Sequence, residues 1–335
     1  MHDSPLHSLA AALRKARRVL TVTHITPDGD AVGSSAALAH IALFLGAEAR
    51  IYLPGCMPEA FAWLPMPAPI VCSLADLKDW VPDLIIFADC GDAHRAGEEI
   101  HAAIKHTALP CAAWKDAVTA NIDHHKSNPR FADMNWVESS RSATGELVGL
   151  LAEHLGMSLS GSLGQALYLA LVTDTGNFSY TNTSAESLAM ASRIVAAGLD
   201  VGYYTDKSEN NWSIERMHLW GRLISEIGLH CDGAVACGMA PRRYLDEMGL
   251  HRHDLEGFAS WLRRIKGVRV ALFIREDAPG HCKISLRSMG DFNVQAVAAL
   301  YGGGGHVTAA GAELNASPEE TRAMLLAAIE ERLDL

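Results

Sequence analysis

A chain of 335 residues has room for two domains of ordinary size, each with its own core. Its 49% hydrophobic and 20% charged residues are the proportions of a globular protein. A formal net charge of −11 argues against broad electrostatic binding to duplex nucleic acid or an anionic membrane, both of which need clustered Lys and Arg.

The first twenty residues mix apolar side chains with Arg14, Lys15, Arg17 and Arg18 and do not read as a signal peptide. No apolar stretch approaches the ~20 residues needed to span a bilayer; His40 interrupts the run 36–45. Seven cysteines (Cys56, Cys72, Cys90, Cys111, Cys231, Cys237 and Cys282) contain no Cys-x-x-Cys pair. An odd number without a leader predicts reduced thiols in a cytoplasm, and the spacing argues against a zinc ribbon.

Along the chain, a β-rich run at 18–23 leads into a helix at 30–45, and a second strand follows at 49–53. The apolar run 83–88 ends at Asp89, and 119–122 ends at Asp123. Helices are expected at 142–155, 163–173 and 185–197. Alternating apolar strands and helices predict an α/β fold, doubly wound around a mainly parallel sheet, over 1–199. The polar stretch 200–212 reads as a linker. A smaller α/β domain is expected over 213–335, with a helix at 214–227, strands at 233–239, 268–275 and 283–287, and a helix at 291–300.

Ligands of doubly wound sheets bind beyond the carboxyl ends of the strands. Three acidic and histidine clusters fall there. His24, Asp28 and Asp30 lie within seven residues at a strand-to-helix turn that Pro27 and Gly29 shape. Capping of the following helix is the plainer role for Asp28 or Asp30. Asp89 ends a buried strand, where a carboxylate can bridge two ions roughly 3.5–4 Å apart; Asp92 beside it reads as a turn or cap. In Asp123-His124-His125, adjacent imidazoles point apart. One can ligate an ion while the other reaches a phosphate or gives a proton, with Asp123 orienting a ring from behind. Lys126 and Asn128 are candidates for a phosphate or for an exposed turn. Asp174 closes an apolar helix against the macrodipole, which suggests a compensating cation.

Buried carboxylates and imidazoles are costly without partners, and two divalent cations are the simplest thing that satisfies them all. Hard oxygen donors with a few imidazoles and no thiolate fit Mn²⁺, Mg²⁺ or Fe²⁺. Such a pair holds a bridging hydroxide and neutralises a phosphoryl group, the two-metal route to hydrolysis. Near the far end, Gly302, Gly303, Gly304 and Gly305 precede His306 in a loop that lets backbone N–H groups approach an anion, or that is merely flexible. Arg287, just upstream, can offer a forked contact to phosphate. No Gly-x-Ser-x-Gly supports a serine triad.

These motifs resemble the DHH phosphoesterase superfamily. HITPDGDAVGS, FADCGD, IDHHKSN and TDTGNF are similar to its four N-terminal motifs, and ISLRSMGDFNVQAVAALYGGGGHVTAAG is similar to its DHHA1 domain. Cys90 stands where a small hydroxyl residue is usual; it reads as a point of sensitivity to oxidation or, more simply, as a buried, inert thiol. The two-domain length is similar to bacterial oligoribonucleases that also dephosphorylate 3′-phosphoadenosine-5′-phosphate.

The resemblance implies two manganese ions, one on His24 and Asp28 and the other on Asp30, His124 and Asp174, with Asp89 bridging. It implies that His125 faces the scissile phosphate and that Arg287 and the 302–306 loop bind the substrate's phosphate or terminal nucleotide. The expected enzyme is a cytoplasmic phosphoric ester hydrolase. It would act on short oligonucleotides or a mononucleotide bisphosphate, in a cleft between its domains, without stable duplex or membrane binding. Oligomeric state stays open, a homodimer being one option. Rival readings are a cyclic or linear dinucleotide phosphodiesterase, a RecJ-type single-strand exonuclease, an inorganic pyrophosphatase and a non-catalytic nucleotide-binding protein.

Overall fold

In the computed structural model, which describes residues 4–77, 79–104, 114 and 116–333, the chain divides into two units, Met1–Asn210 and Asn211–Leu335. In chain order the first contains α1 (Pro5–Lys15), β1 (Arg18–Val22), α2 (Gly29–Phe44), β2 (Glu48–Tyr52), β3 (Ile70–Val71), β4 (Leu84–Ala88) and α3 (Glu98–Ile104). It continues through β5 (Val118–Asp123), β6 (Met134–Val137), α4 (Thr144–His154), α5 (Gly161–Thr175), α6 (Ala185–Ala196) and α7 (Val201–Ser208). All six strands are parallel, in the order β3-β2-β1-β4-β5-β6.

Why both faces are covered can be read from β4, LIIFA, buried throughout. Its Leu84, Ile86 and Ala88 join the core formed with α1, α2, α4 and α5, while Ile85 and Phe87 join one with Ile100 and Ala103 of α3. Successive side chains alternate between faces, so a strand buried on both must be apolar at every position. The strand order reverses direction between β1 and β4. That topological switch opens a crevice beyond the two carboxyl ends, and the chain leaves those ends at His24 and Asp89.

Helix α2 carries Gly29, Gly33, Ser34, Ala36 and Ala37, all buried. Small residues let α5 approach its backbone closely: a Cβ on Gly33 would collide with the carbonyl oxygen of Ala166 and lie 3.1 Å from the Ala170 nitrogen. This close packing fixes α2, and with it Asp30, against α5.

The second unit contains α8 (Ile214–Ser225), β7 (Gly228–His230), β8 (Val235–Ala240), α9 (Arg242–Met248), α10 (Phe258–Leu262), β9 (Val270–Ala278) and β10 (His281–Ser288). It ends with α11 (Val294–Ala299), β11 (Gly304–His306), β12 (Ala309–Leu314) and α12 (Pro318–Glu330). Its sheet runs β11-β12-β10-β9-β8-β7, antiparallel except for the β8–β9 pair. One face packs on α11 and α12, the other on α8, α9 and α10. The architecture is the expected α/β pair of domains, with a doubly wound parallel sheet first.

Two local readings differ. The stretch read as linker, 200–212, holds α7, whose Asp200 caps it by accepting from the Tyr203 amide and whose Tyr204 is buried in the first core. Its polar surface hid a single apolar anchor. The expectation that every thiol is reduced does not hold for Cys56 and Cys72, which form a disulfide joining the segment after β2 to the end of β3. Cys111 lies outside the described residues. No helix among the described residues is long and apolar enough to cross a membrane.

Gly33→Ala is expected to lower stability by about 1–3 kcal/mol through overpacking of α2 on α5. Urea denaturation reads this as a lower midpoint at unchanged slope; an unchanged midpoint would show that the helices give way freely.

Candidate metal centre

Each predicted metal ligand of the first domain is delivered by the end of a regular element. Asp28 is the N-cap of α2, its carboxylate accepting from the Ala31 amide at 3.1 Å. Capping and site membership therefore coexist in one side chain. Asp30, in the first turn of α2, is fully buried. It accepts from the amides of Thr144 (2.6 Å) and Gly145 (2.9 Å) and from the Ser34 hydroxyl (2.9 Å). The first two belong to the start of α4, so that helix's N-terminal donors hold this carboxylate. Asp89 follows β4 in the left-handed region, at φ 55°, a conformation that Asp tolerates better than most residues. Asp174 lies in the last turn of α5, which Gly176 ends in the left-handed conformation.

The donor atoms fall into three overlapping groups: His24, Asp28 and Asp89; Asp30, His124 and Asp174; and Asp89, His124 and His125. Within each group the ligand atoms lie within 4.8 Å of one another. Nε2 of His124 is 3.0 Å from Asp174, 3.5 Å from Asp89 and 3.9 Å from Asp30. Nε2 of His24 is 3.7 Å from Asp89 and 3.9 Å from Asp28, beyond hydrogen-bonding reach of either. Buried, it has no hydrogen-bond partner. Both rings present this nitrogen because the other is engaged: Nδ1 of His24 meets the Ile25 carbonyl at 2.9 Å, and Nδ1 of His124 meets the Arg141 carbonyl at 3.3 Å. Those contacts set the tautomer that leaves Nε2 as a metal donor.

Electrostatics reflect the crowding. Burial, then the charges of Asp89 and Asp174, drive Asp30 well above the carboxylate range. Asp28 is half exposed at the rim, yet the atoms crowding its carboxyl, then Asp89 and Asp174, push it up to about 6. Burial also acts to raise Asp89, but His24, His124 and His125 around it hold it well below the ordinary range. Burial acts to lower His24 and His124. The adjacent carboxylates overcome it, so both are raised, His124 strongly, with Asp174 its main partner. Carboxylates that resist ionising together beside imidazoles that hold protons are what a cation site looks like without its charge. The residues fit a pair of divalent ions by donor type and by the orphaned Nε2 of His24.

Behind the ligands runs a chain of supporting contacts. Asp123 accepts from Nδ1 of His125 at 2.7 Å and orients that ring. Asn128, expected at a phosphate or on an exposed turn, instead faces inward and donates to Asp123 and to Asn121. Asn121 in turn donates to the Phe87 and Cys90 carbonyls. Cys90 is fully buried, and burial pushes its thiol up to about 12. Asp92 caps the turn Ala93–Ala96 by accepting from the His94 amide. Lys126 is exposed.

Two residues escaped the sequence reading. Thr144 donates its hydroxyl to Asp89 at 3.0 Å and its amide to Asp30, so one helix start ties both carboxylates. Arg95 brings Nη1 within 3.5 Å of Nε2 of His125. Neither belongs to the acidic and histidine clusters singled out in the sequence, and the signal for Thr144 is only a helix start in SATGE.

In the second domain, Arg287 lies near the end of β10, opposite Ala309 of β12, which is opposite His306 of β11. In-register neighbours share a face, so Arg287 and His306 flank a small residue on one side of the sheet. Close strand pairing accounts for two of the glycines. A Cβ on Gly303 would collide with the Gly311 carbonyl, and one on Gly305 with the Ala309 carbonyl. Gly302, at φ 72°, turns the chain after α11.

The sequence profile described as "DHH family, N-terminal domain" matches residues 18–172, and that of the "DHHA1 domain" matches residues 237–334. The chain is 30% identical over 298 residues to "Bifunctional oligoribonuclease and PAP phosphatase NrnA" of Thermus thermophilus, spanning 88% of this chain and 84% of that one. A crystal structure of an exopolyphosphatase-related protein from Bacteroides fragilis superposes with a TM-score of 0.87 at 26% identity, over 98% of this chain and 96% of that one. RecJ from Thermus thermophilus, solved in complex with Mn²⁺, shares the fold at 16% identity and a TM-score of 0.53, over 99% of this chain and 55% of RecJ. The fold and the site define a two-domain hydrolase of phosphoric esters. The chain belongs to the DHH family, with a DHHA1 domain as its second part.

Ions that bind Nε2 of His24 and His124 must displace protons which the raised values keep on those rings. The raised carboxyls of Asp28 and Asp30 add to the release, whereas Asp89, already ionised, adds nothing. Affinity for Mn²⁺ is therefore expected to fall as pH is lowered through the raised values of these groups, with net proton release on binding. Calorimetry in buffers of different ionisation enthalpy measures this; a heat independent of buffer would contradict it.

Proposed function

We propose that this chain hydrolyses the terminal phosphoester of short oligonucleotides and of 3′-phosphoadenosine-5′-phosphate, using two divalent cations, most simply Mn²⁺. The observation that carries the reading is the convergence of Asp28, Asp30, Asp89 and Asp174 on His24 and His124 at the switch point of the first sheet. The similar Thermus protein is named for both activities, and the likeness spans both domains.

When bound, the ions supply activation of the attacking water and neutralise charge on the phosphoryl group. In this proposal His24 and Asp28 hold one ion, Asp30, His124 and Asp174 hold the other, and Asp89 is shared. His125, its Nδ1 fixed by Asp123, keeps Nε2 directed at the phosphoryl oxygens or at the leaving oxygen, where it gives a proton. Arg95, beside that Nε2, adds a fixed positive charge for the transferred group. Arg287 and His306, across Ala309, hold the substrate's terminal phosphate or nucleotide, with Gly302, Gly303, Gly304 and Gly305 keeping the adjoining backbone close and free of side chains. Binding the substrate's end in this way favours short substrates. The proposed compartment is the cytoplasm.

The test compares a 5′-labelled RNA dinucleotide, 3′-phosphoadenosine-5′-phosphate and a long single-stranded DNA in Mn²⁺. Rapid turnover of the first two with little on the third is expected. Asp89→Ala should lose at least about a thousandfold in kcat, the several kcal/mol that a metal pair contributes. Arg287→Ala should raise KM by about ten- to a hundredfold, the worth of a charged hydrogen bond. Preference for the long DNA, or near-normal turnover by Asp89→Ala, would overturn the proposal.

A further inference from the structure

Outside the metal pair, the first domain carries another group of metal-type donors. The short turn Ala93–Ala96 presents His94, and α3 presents Glu98 and His101. Gly97, at φ 97°, joins turn to helix in a conformation that L side chains rarely adopt. Glu98 and His101 are three apart, hence on one helix face. Nδ1 of His94 lies 3.8 Å from Oε1 of Glu98, and the His94 and His101 rings stand 3.8 Å apart at a 40° tilt. The three ligand atoms lie within 4.8 Å of one another.

We infer that His94, Glu98 and His101 form a third divalent metal site, selective for an ion of the Zn²⁺ class and sharing no ligand with the pair. Two imidazoles and one carboxylate without thiolate are a donor set that Zn²⁺ takes, whereas the pair is richer in carboxylates and suits harder ions. Tetrahedral Zn²⁺ at about 2.1 Å from its donors sets them roughly 3.4 Å apart. His94 and Glu98 are exposed and free to close by that margin, and His101 is the fixed point, only 8% exposed. A cavity of about 440 Å³ opens on both imidazoles and leaves room for water as the fourth ligand. Asp92 and Asp133 also line it and add negative potential that favours a cation.

An exposed His–Glu pair contributes almost nothing to stability by itself. Ion binding is a role that uses all three side chains together. An ion here ties α3 to the turn that carries Arg95.

The experiment uses the full chain, stripped of metal and dialysed against micromolar Zn²⁺, with bound zinc counted per chain by elemental analysis. His94→Gln and Glu98→Gln alter exposed side chains and should each hold one zinc fewer than the unaltered chain, or bind that ion at least about tenfold more weakly. Both should keep the Mn²⁺-dependent hydrolysis. Asp89→Ala, which disables the pair, should retain this zinc. Equal zinc content in His94→Gln and the unaltered chain would overturn the site, as would loss of this zinc in Asp89→Ala. Neither count depends on which phosphoester the pair hydrolyses.

Discussion

Repulsion among buried carboxylates is the constraint on which this molecule turns. Asp30 and Asp89 are buried, at 0% and 2% exposure, with Asp28 and Asp174 beside them. Their negative charges could not be brought together without compensation, since an uncompensated buried charge costs several kcal/mol. Part of the compensation is built into the chain. Asp89 stays ionised because three imidazoles surround it, and Asp30 is held by amides at the start of α4. Divalent cations would supply the rest, and the buried Nε2 of His24, which has no hydrogen-bond partner, is a donor that such an ion would use.

The fold serves that constraint in specific ways. A parallel sheet with a strand-order reversal gathers the ends of β1, β4 and β5 at one crevice. Close packing of α2 on α5, possible because Gly33 has no side chain, brings Asp30 and Asp174 in from two helices. Thr144 then fastens Asp30 to Asp89 through two different groups of one residue. Asp30 and Asp174 lie within helices, and His24, Asp28, Asp89 and His124 lie within two residues of the end of a strand or the start of a helix, so short connections anchored by regular elements carry the donors.

Much of this was legible in the residues. Apolar runs ending in Asp89 and Asp123 announced both the strands and the chemistry at their ends, because strand direction and ligand position are linked in this architecture. Asp174 was visible through its conflict with the helix macrodipole. Less legible were residues whose roles depend on contacts far along the chain. Thr144 reads as an ordinary helix start until the fold brings it to Asp30, and Arg95 reads as a surface charge until the turn Ala93–Ala96 brings it to His125. Asn128 read as a phosphate contact or an exposed turn residue, and only the fold reveals its inward amide. The division between the two units falls within 200–212, read as linker, but that reading missed α7, which Tyr204 anchors as one buried ring in a polar stretch. The glycines at 303 and 305 suggested an anion cradle, and strand pairing supplies a separate reason for them that no local pattern contains.

The central claim is that one cluster of carboxylates and imidazoles holds two ions around a shared Asp89. Anomalous diffraction from crystals grown with Mn²⁺ tests it most directly. Two peaks about 3.5–4 Å apart are predicted, one beside His24 and Asp28, the other beside Asp30, His124 and Asp174, with Asp89 between them. A single peak, or peaks away from Asp89, would contradict the account.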